Sequence, residues 1–128
     1  MRTFESFKVG KQLGRVQYTL DQAMLDDWQA VYGPVLDRRH LPAGLTTALI
    51  MRAYCEIVDD RPPGNINVGN DTALYGSFAT DDIAEIEVRV ASTRATTTRK
   101  IVAFEVLVSR FPTPETIARA VITLFWAM

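Results

Sequence analysis

The chain has one cysteine, one histidine and almost no net charge, and it has no apolar run long enough to cross a bilayer. Each scarcity removes a class of function. A single thiol, Cys55, cannot close an internal disulfide, so the sequence points to a reducing compartment. Cys55 lies in an apolar run and reads as a buried small hydrophobe. One histidine and one cysteine, far from any clustered carboxylates, cannot furnish the usual ligand set of a metal site. With 14 Lys and Arg against 15 Asp and Glu, a formal charge of −1, the chain offers no general attraction to nucleic acid or an anionic membrane. No Gly-rich loop of dinucleotide or P-loop spacing is present, so no nucleotide cofactor is expected. Met1 to Gly10 lacks the apolar core and the small-residue cleavage pattern of a secretion signal, which makes the cytoplasm the expected location. No internal repeat, low-complexity segment or long polar linker divides the chain, so residues 1–128 read as one domain.

What is present fits that reading. Residues that are 48% hydrophobic and 23% charged suit one compact domain. A chain of this size buries about two-thirds of its unfolded surface, leaving little to line a deep private cavity. A sizeable ligand site would draw on a second copy.

The chain is organised around Leu41-Pro42-Ala43-Gly44-Leu45-Thr46-Thr47, which runs into the apolar segment Ala48 to Val58. From Leu45 to Val58 only Thr46, Thr47, Arg52 and Glu56 are not apolar, so a helix here, roughly 21 Å long, is apolar nearly all round and expected to be buried. It is too short to span a membrane. Pro42 and Gly44 stand at its start, where a missing N–H costs nothing and a bare backbone can be approached closely.

Ahead of this helix, Phe4, Phe7 and Val9 read as a strap. Val16, Tyr18 and Leu20 alternate with polar neighbours from Gly14 on, which predicts a short strand. Thr19 with Gln22 makes a capping-box signature. Met24, Leu25, Trp28, Val31 and Tyr32 then recur at helical spacing until Gly33-Pro34, and Val35 to His40 is a polar connector. After the helix, Asp59 to Gly64 is a stiff turn. Asn65 to Asn70 alternates like a strand, with Gly69 as a bulge or a point of close approach. Ile86, Val88 and Val90 oppose Glu85, Glu87 and Arg89 on the next strand. Thr93 to Lys100 reads as a hairpin connection, Ile101 to Phe111 as a strand and Phe111 to Pro114 as a turn. Glu115 to Met128 fits helical spacing too, but its β-branched and aromatic residues, and the need of two long strands for a neighbour, predict a strand. A helix apolar all round is best buried by a sheet curving about it, which gives an α+β architecture.

In this order of elements, Pro42-Ala43-Gly44-Leu45, Phe7-Lys8-Val9-Gly10-Lys11 and the helix after Thr19 resemble the hotdog fold, and within it the MaoC-like acyl-CoA dehydratases and hydratases. The resemblance implies a homodimer whose sheets join edge to edge, with acyl-thioester sites near the interface. Coenzyme A or an acyl carrier then enters as part of the substrate, with no separate cofactor. In that family an Asp and a His in the loop before the central helix handle the proton and water, and an N–H at the helix start polarises the thioester carbonyl. The matching positions are Asp37, His40, Gly44 and Leu45. Unpaired N–H groups at the positive end of a helix suit a developing oxyanion on physical grounds as well. The family places four residues between its Asp and His, within an Asn-Pro stretch. Asp37-Arg38-Arg39-His40 has only two and no Asn-Pro, so the pair is either re-spaced or lost.

The residues themselves leave alternatives. An imidazole, with an ordinary pKa of about 6.5, suits His40 to acid–base work with Asp37 orienting it; the opposing reading puts both in an exposed charged loop. Arg52 and Glu56 form either a helix-surface ion pair or a buried pair beside a ligand tunnel. Asn65, Asn67 and Asn70 sit on a strand expected beside the central helix, where an amide inward bonds a thioester or water, or else satisfies a strand edge. Arg94, Arg99 and Lys100 are cations of the kind a coenzyme A diphosphate needs, or simply solvated charge. Three functions remain: hydration or dehydration of an acyl thioester, thioester hydrolysis with Asp37 or His40 activating water, and a module without chemistry that binds an acyl ligand or partners an active subunit. The loop from Gly33 to Ala43 separates them, according to whether His40 and Asp37 face a tunnel or solvent.

Overall fold

The computed structural model describes residues 1–128. After a short 3-10 turn at Phe4–Ser6 come β1 (Gln12–Thr19), α1 (Gln22–Tyr32), α2 (Ala43–Ile57), β2 (Ile66–Leu74), β3 (Ile83–Ala95), β4 (Lys100–Phe111) and β5 (Thr116–Trp126). The five strands form one antiparallel sheet in the order β1-β3-β4-β5-β2.

The expected alternation builds the core. Ile86, Val88 and Val90 on β3, Val102, Phe104, Val106 and Val108 on β4, and Ala118, Ala120, Ile122, Leu124 and Trp126 on β5 are all buried on the inner face. α2 answers with Leu45, Leu49, Ile50, Ala53, Tyr54 and Ile57. The helix passes so close to β1 that a Cβ on Gly14 would stand 2.9 Å from Ile57 Cγ2, which explains a glycine in that strand. The N-terminal strap lies on this core: Phe7 meets Phe104 and Trp126 edge to face, with ring centroids 5.2 and 4.9 Å apart. No helix is long and apolar enough to cross a membrane.

Four expectations need correction. Asp21, not Thr19, caps α1, its Oδ1 accepting from the Met24 N–H at 3.0 Å, while Gln22 turns to Asp26. The hairpin connection is shorter than expected, Thr96 to Arg99 alone lying between the strands. β3 runs to Ala95, β4 starts at Lys100, and the Thr96 N–H closes the turn on the Arg99 carbonyl at 2.8 Å, because β-branched Thr93 suits a pleated strand despite its polarity. α2 is not buried all round. The sheet covers one face, and Ala48, Arg52, Cys55 and Glu56 remain exposed, so the thiol is accessible rather than buried. β2 lies at the outer edge of the sheet with neither face buried, so its asparagines stand away from the central helix. Its register does shift between Asn67 and Gly69, as the glycine predicted.

Candidate active site

The chain leaves α1 at Gly33, whose φ of 89° only glycine adopts readily, and the Val35 N–H is caught by Gln29 Oε1 at 2.8 Å. Asp37 then folds the loop back on itself. Its Oδ1 accepts from the Arg39 N–H at 2.9 Å, and its Oδ2 lies 3.1 Å from His40 Nδ1. The Arg39 N–H, and after it His40, hold the Asp37 carboxyl below its ordinary range. A spacing of two residues therefore suffices to join the pair, because the turn does what the longer spacing would do. Both side chains face water, His40 71% and Asp37 59% exposed. A single chain does not enclose them.

The loop is nonetheless fixed. The Thr80 N–H donates to the Arg38 carbonyl and the Leu41 N–H to the Phe78 carbonyl, each at 2.8 Å, and Leu41 is buried. Pro42 is the N-cap of α2 and supplies no side-chain cap. Of the two N–H groups singled out from the sequence, Leu45's is engaged by the Pro42 carbonyl at 3.0 Å, whereas Gly44's meets no acceptor in the chain. Gly44 also lies beneath Trp28 of α1, since a Cβ there would stand 3.2 Å from the ring's Cη2. The same ring stacks at 4.1 Å on Tyr32 and helps line an apolar groove of about 250 Å³ between α1 and α2, with Met24, Val31, Leu45, Ala48 and Leu49. Helical spacing put Met24, Trp28, Val31 and Tyr32 on one side of α1, and part of that side stands open as this groove, with Ala48 of α2 in its wall.

The remaining candidates do not gather here. Asn67 holds the β2 bulge, accepting from the Gly69 N–H at 3.2 Å and donating to Asn70 Oδ1 at 3.2 Å. Arg94, Arg99 and Lys100 sit at the far end of the β3–β4 hairpin, roughly 35 Å along β3 from the end nearest the His40 loop. Lys100 is paired with Glu5 at 2.9 Å, and the Arg99 guanidinium lies 5.1 Å over the Phe125 ring. Arg52 and Glu56 form an ion pair of 3.2 Å on the exposed face of α2.

No protein-family model matches the chain, and no curated protein matches it in sequence. Solved structures do match in shape. The (R)-hydratase PhaJ1 from Pseudomonas aeruginosa superposes with a TM-score of 0.77 at 19% identity, covering 96% of this chain and 84% of that one. The MaoC-like dehydratase from Rhodospirillum rubrum gives 0.73 at 14% identity, covering 97% of each chain. YbaW, a probable thioesterase from Escherichia coli, gives 0.61 at 12% identity, covering 87% of this chain and 80% of that one. A shared fold at such identities fixes architecture and leaves activity to the site. The chain thus has the hotdog fold, and an (R)-hydratase, a MaoC-like dehydratase and a probable thioesterase are among the proteins it is similar to in shape.

Proposed function

We propose that the chain is a divergent MaoC-like hotdog protein that adds water to, or removes it from, acyl thioesters of coenzyme A or an acyl carrier. The observation that carries this reading is the Asp37–His40 pair, 3.1 Å apart and directly ahead of a helix start where the Gly44 N–H is free. Asp37 on Nδ1 leaves His40 Nε2 as the working nitrogen. In hydration, Nε2 takes a proton from water as the water oxygen bonds to the β-carbon of the enoyl group. The displaced electron pair moves onto the thioester oxygen, held by the Gly44 N–H at the positive end of α2, and a proton returned to the α-carbon completes the addition.

A second copy completes the site in this reading. β2 is an open edge bearing exposed Ile66, Val68 and Leu74, with Tyr75 just beyond it, and such an edge favours pairing with another strand. Antiparallel pairing of two β2 edges sets the Ile66 end of one copy against the Leu74 end of the other. The Ile66 end carries Arg99, which shares a small groove with Ile66 and Phe125. The Leu74 end leads into the segment that holds the His40 loop. A homodimer thereby brings Arg99, with Arg94, toward the other copy's loop, where a diphosphate needs cations. The exposed thiol of Cys55 suits the reducing cytoplasm where we place the protein.

Two other readings each have an observation behind them. The shape shared with a probable thioesterase favours hydrolysis at the same site. The exposure of His40 and Asp37 favours a module that binds an acyl ligand, or partners an active subunit, without chemistry. Turnover of crotonyl-CoA, followed by loss of enoyl absorbance and by release of free thiol, decides among them. Hydration that His40→Ala reduces by roughly a hundredfold or more supports the proposal. Thiol release selects the hydrolase, and binding without turnover selects the module.

A further inference from the structure

Two backbone hydrogen bonds bracket His40. On one side the Arg38 carbonyl accepts from Thr80, and on the other the Leu41 N–H donates to Phe78, both at 2.8 Å. The strip Phe78–Thr80 therefore fixes the chain immediately before and after Arg39-His40.

A side chain of the sheet grips the strip, beside the buried Phe78 ring and the backbone bonds that Asp81 and Asp82 make with Leu20. Arg110, near the end of β4, donates from Nη2 to the Ser77 carbonyl at 3.0 Å and from Nη1 to Asp82 Oδ2. Its Nε donates to Glu115 Oε2 at 3.1 Å. Asp82 Oδ2 also accepts from the Ala79 N–H at 2.7 Å, and the guanidinium lies 5.7 Å over the ring of the buried Phe78. One planar fork thus grips the strip at its start through Ser77 and beyond its end through Asp82, a task a single ammonium cannot share out. The side chains of Arg110 and Asp82 are 25% and 23% exposed, so water competes weakly for these bonds. The loop has no slack to absorb a shift of the strip, because only three residues separate His40 from Gly44.

We propose that Arg110 is a positioning residue for His40, acting through Asp82 and the strip Phe78–Thr80. This rests on the reading of His40 as the group that moves the proton. A one-ångström displacement of such a group costs roughly a hundredfold in rate, so the grip bears on turnover as well as on folding.

The test uses two variants of the full chain. Arg110→Lys keeps the charge and loses the fork; Asp82→Asn keeps the shape and the Ala79 contact but loses the ionic partner. Amide exchange at Leu41 and Thr80 is measured beside that at Val106 and Ile122 in the sheet, together with the ring-proton signal of His40 and with kcat and KM for crotonyl-CoA. In both variants exchange at Leu41 and Thr80 rises about tenfold or more while the sheet amides keep their rates. The His40 signal moves, and kcat falls roughly ten- to a hundredfold with KM within about twofold. Exchange that rises equally everywhere makes Arg110 a general anchor and overturns the proposal, as does a loop that loosens without loss of kcat, or a loop that does not loosen. If the parent chain turns over no thioester, the hydratase reading falls, and the exchange pattern with the His40 signal still decides whether Arg110 sets the loop.

Discussion

Tyr18 on β1 donates its hydroxyl hydrogen to Glu56 Oε2 on α2 at 2.9 Å, and the Arg52 guanidinium lies 4.6 Å over its ring while bonding the other carboxylate oxygen at 3.2 Å. The ion pair on the exposed face of α2 is thus tied to the sheet, and the tie passes through a buried phenol.

Tyr18→Phe removes this tie. Glu56 remains open to water, so the cost falls at about 1.5 kcal/mol, the low end for a hydrogen bond to a charged group. Burial first, and Glu56 second, push the Tyr18 phenol well above its ordinary value, and burial pushes Tyr54 up to about 12. A folded pKa above the unfolded one gives stability that is full below about pH 10 and falls as pH rises toward the folded value. Urea melts from pH 8 to 11 therefore show a decline that is shallower in Tyr18→Phe. An equal decline in both proteins contradicts the assignment.

Gly14→Ala drives a methyl group to within 2.9 Å of Ile57 Cγ2. Overpacking of this kind costs about 1–3 kcal/mol, read as a lower denaturation midpoint at unchanged slope. Ile57→Ala alone costs about 2–5 kcal/mol. Because the two changes fill and empty one space, the double variant loses less than the sum of the single ones. Strict additivity means that α2 does not press on β1 there.

Asp37→Asn bears on the candidate site. The Asp37 carboxyl is held below its ordinary value, first by the Arg39 N–H and then by His40, so its contribution is present above the unfolded value of about 3.9 and disappears as pH falls through the folded one. Exchange of the Arg39 amide, corrected for its intrinsic rate, loses protection over that acid range in the parent. In Asp37→Asn protection is weaker at neutral pH and does not change with acid. Matching acid profiles refute the turn.

Val68→Lys places a charge on the open edge of β2, where Val68 is an exposed apolar residue. Charge on an edge strand opposes pairing. In sedimentation over a concentration series the parent runs as a dimer and the variant as a monomer, while the melting temperature at low concentration stays the same. A parent that is monomeric throughout removes the dimer, and with it the delivery of Arg99 to a second copy's loop.

The fold was legible wherever one periodicity had no rival. Ile86, Val88 and Val90 can cover a core on one side only as a strand, and Trp28 with its neighbours can do so only as a helix. Legibility failed where two residues competed for one task or where chemistry was neutral. Thr19 and Asp21 both can cap, and the carboxylate, two residues nearer the helix, takes the N–H. Ala48 and Cys55 are equally at home inside and outside, so only Arg52 and Glu56 marked the open face of α2 in the sequence. At the site, the pairing of Asp37 with His40 could be suspected from type and nearness. Arg110 could not, because it reaches the His40 loop through Asp82 and Ser77, contacts that no local spacing announces.

The strand order has a consequence in time. β2 leaves α2 early in the chain, yet its only neighbour in the sheet is β5, with Ile66 facing Phe125. At about 5–20 residues per second on the ribosome, β2 waits several seconds for that partner to be made. Until then it has no partner in the sheet, and Asn67, Asn70 and Asp71 around its glycine bulge oppose the aggregation that its exposed Ile66, Val68 and Leu74 would favour. The same closure makes β5 a latch, for losing it leaves β2 with no partner in the sheet and turns β4 into an edge.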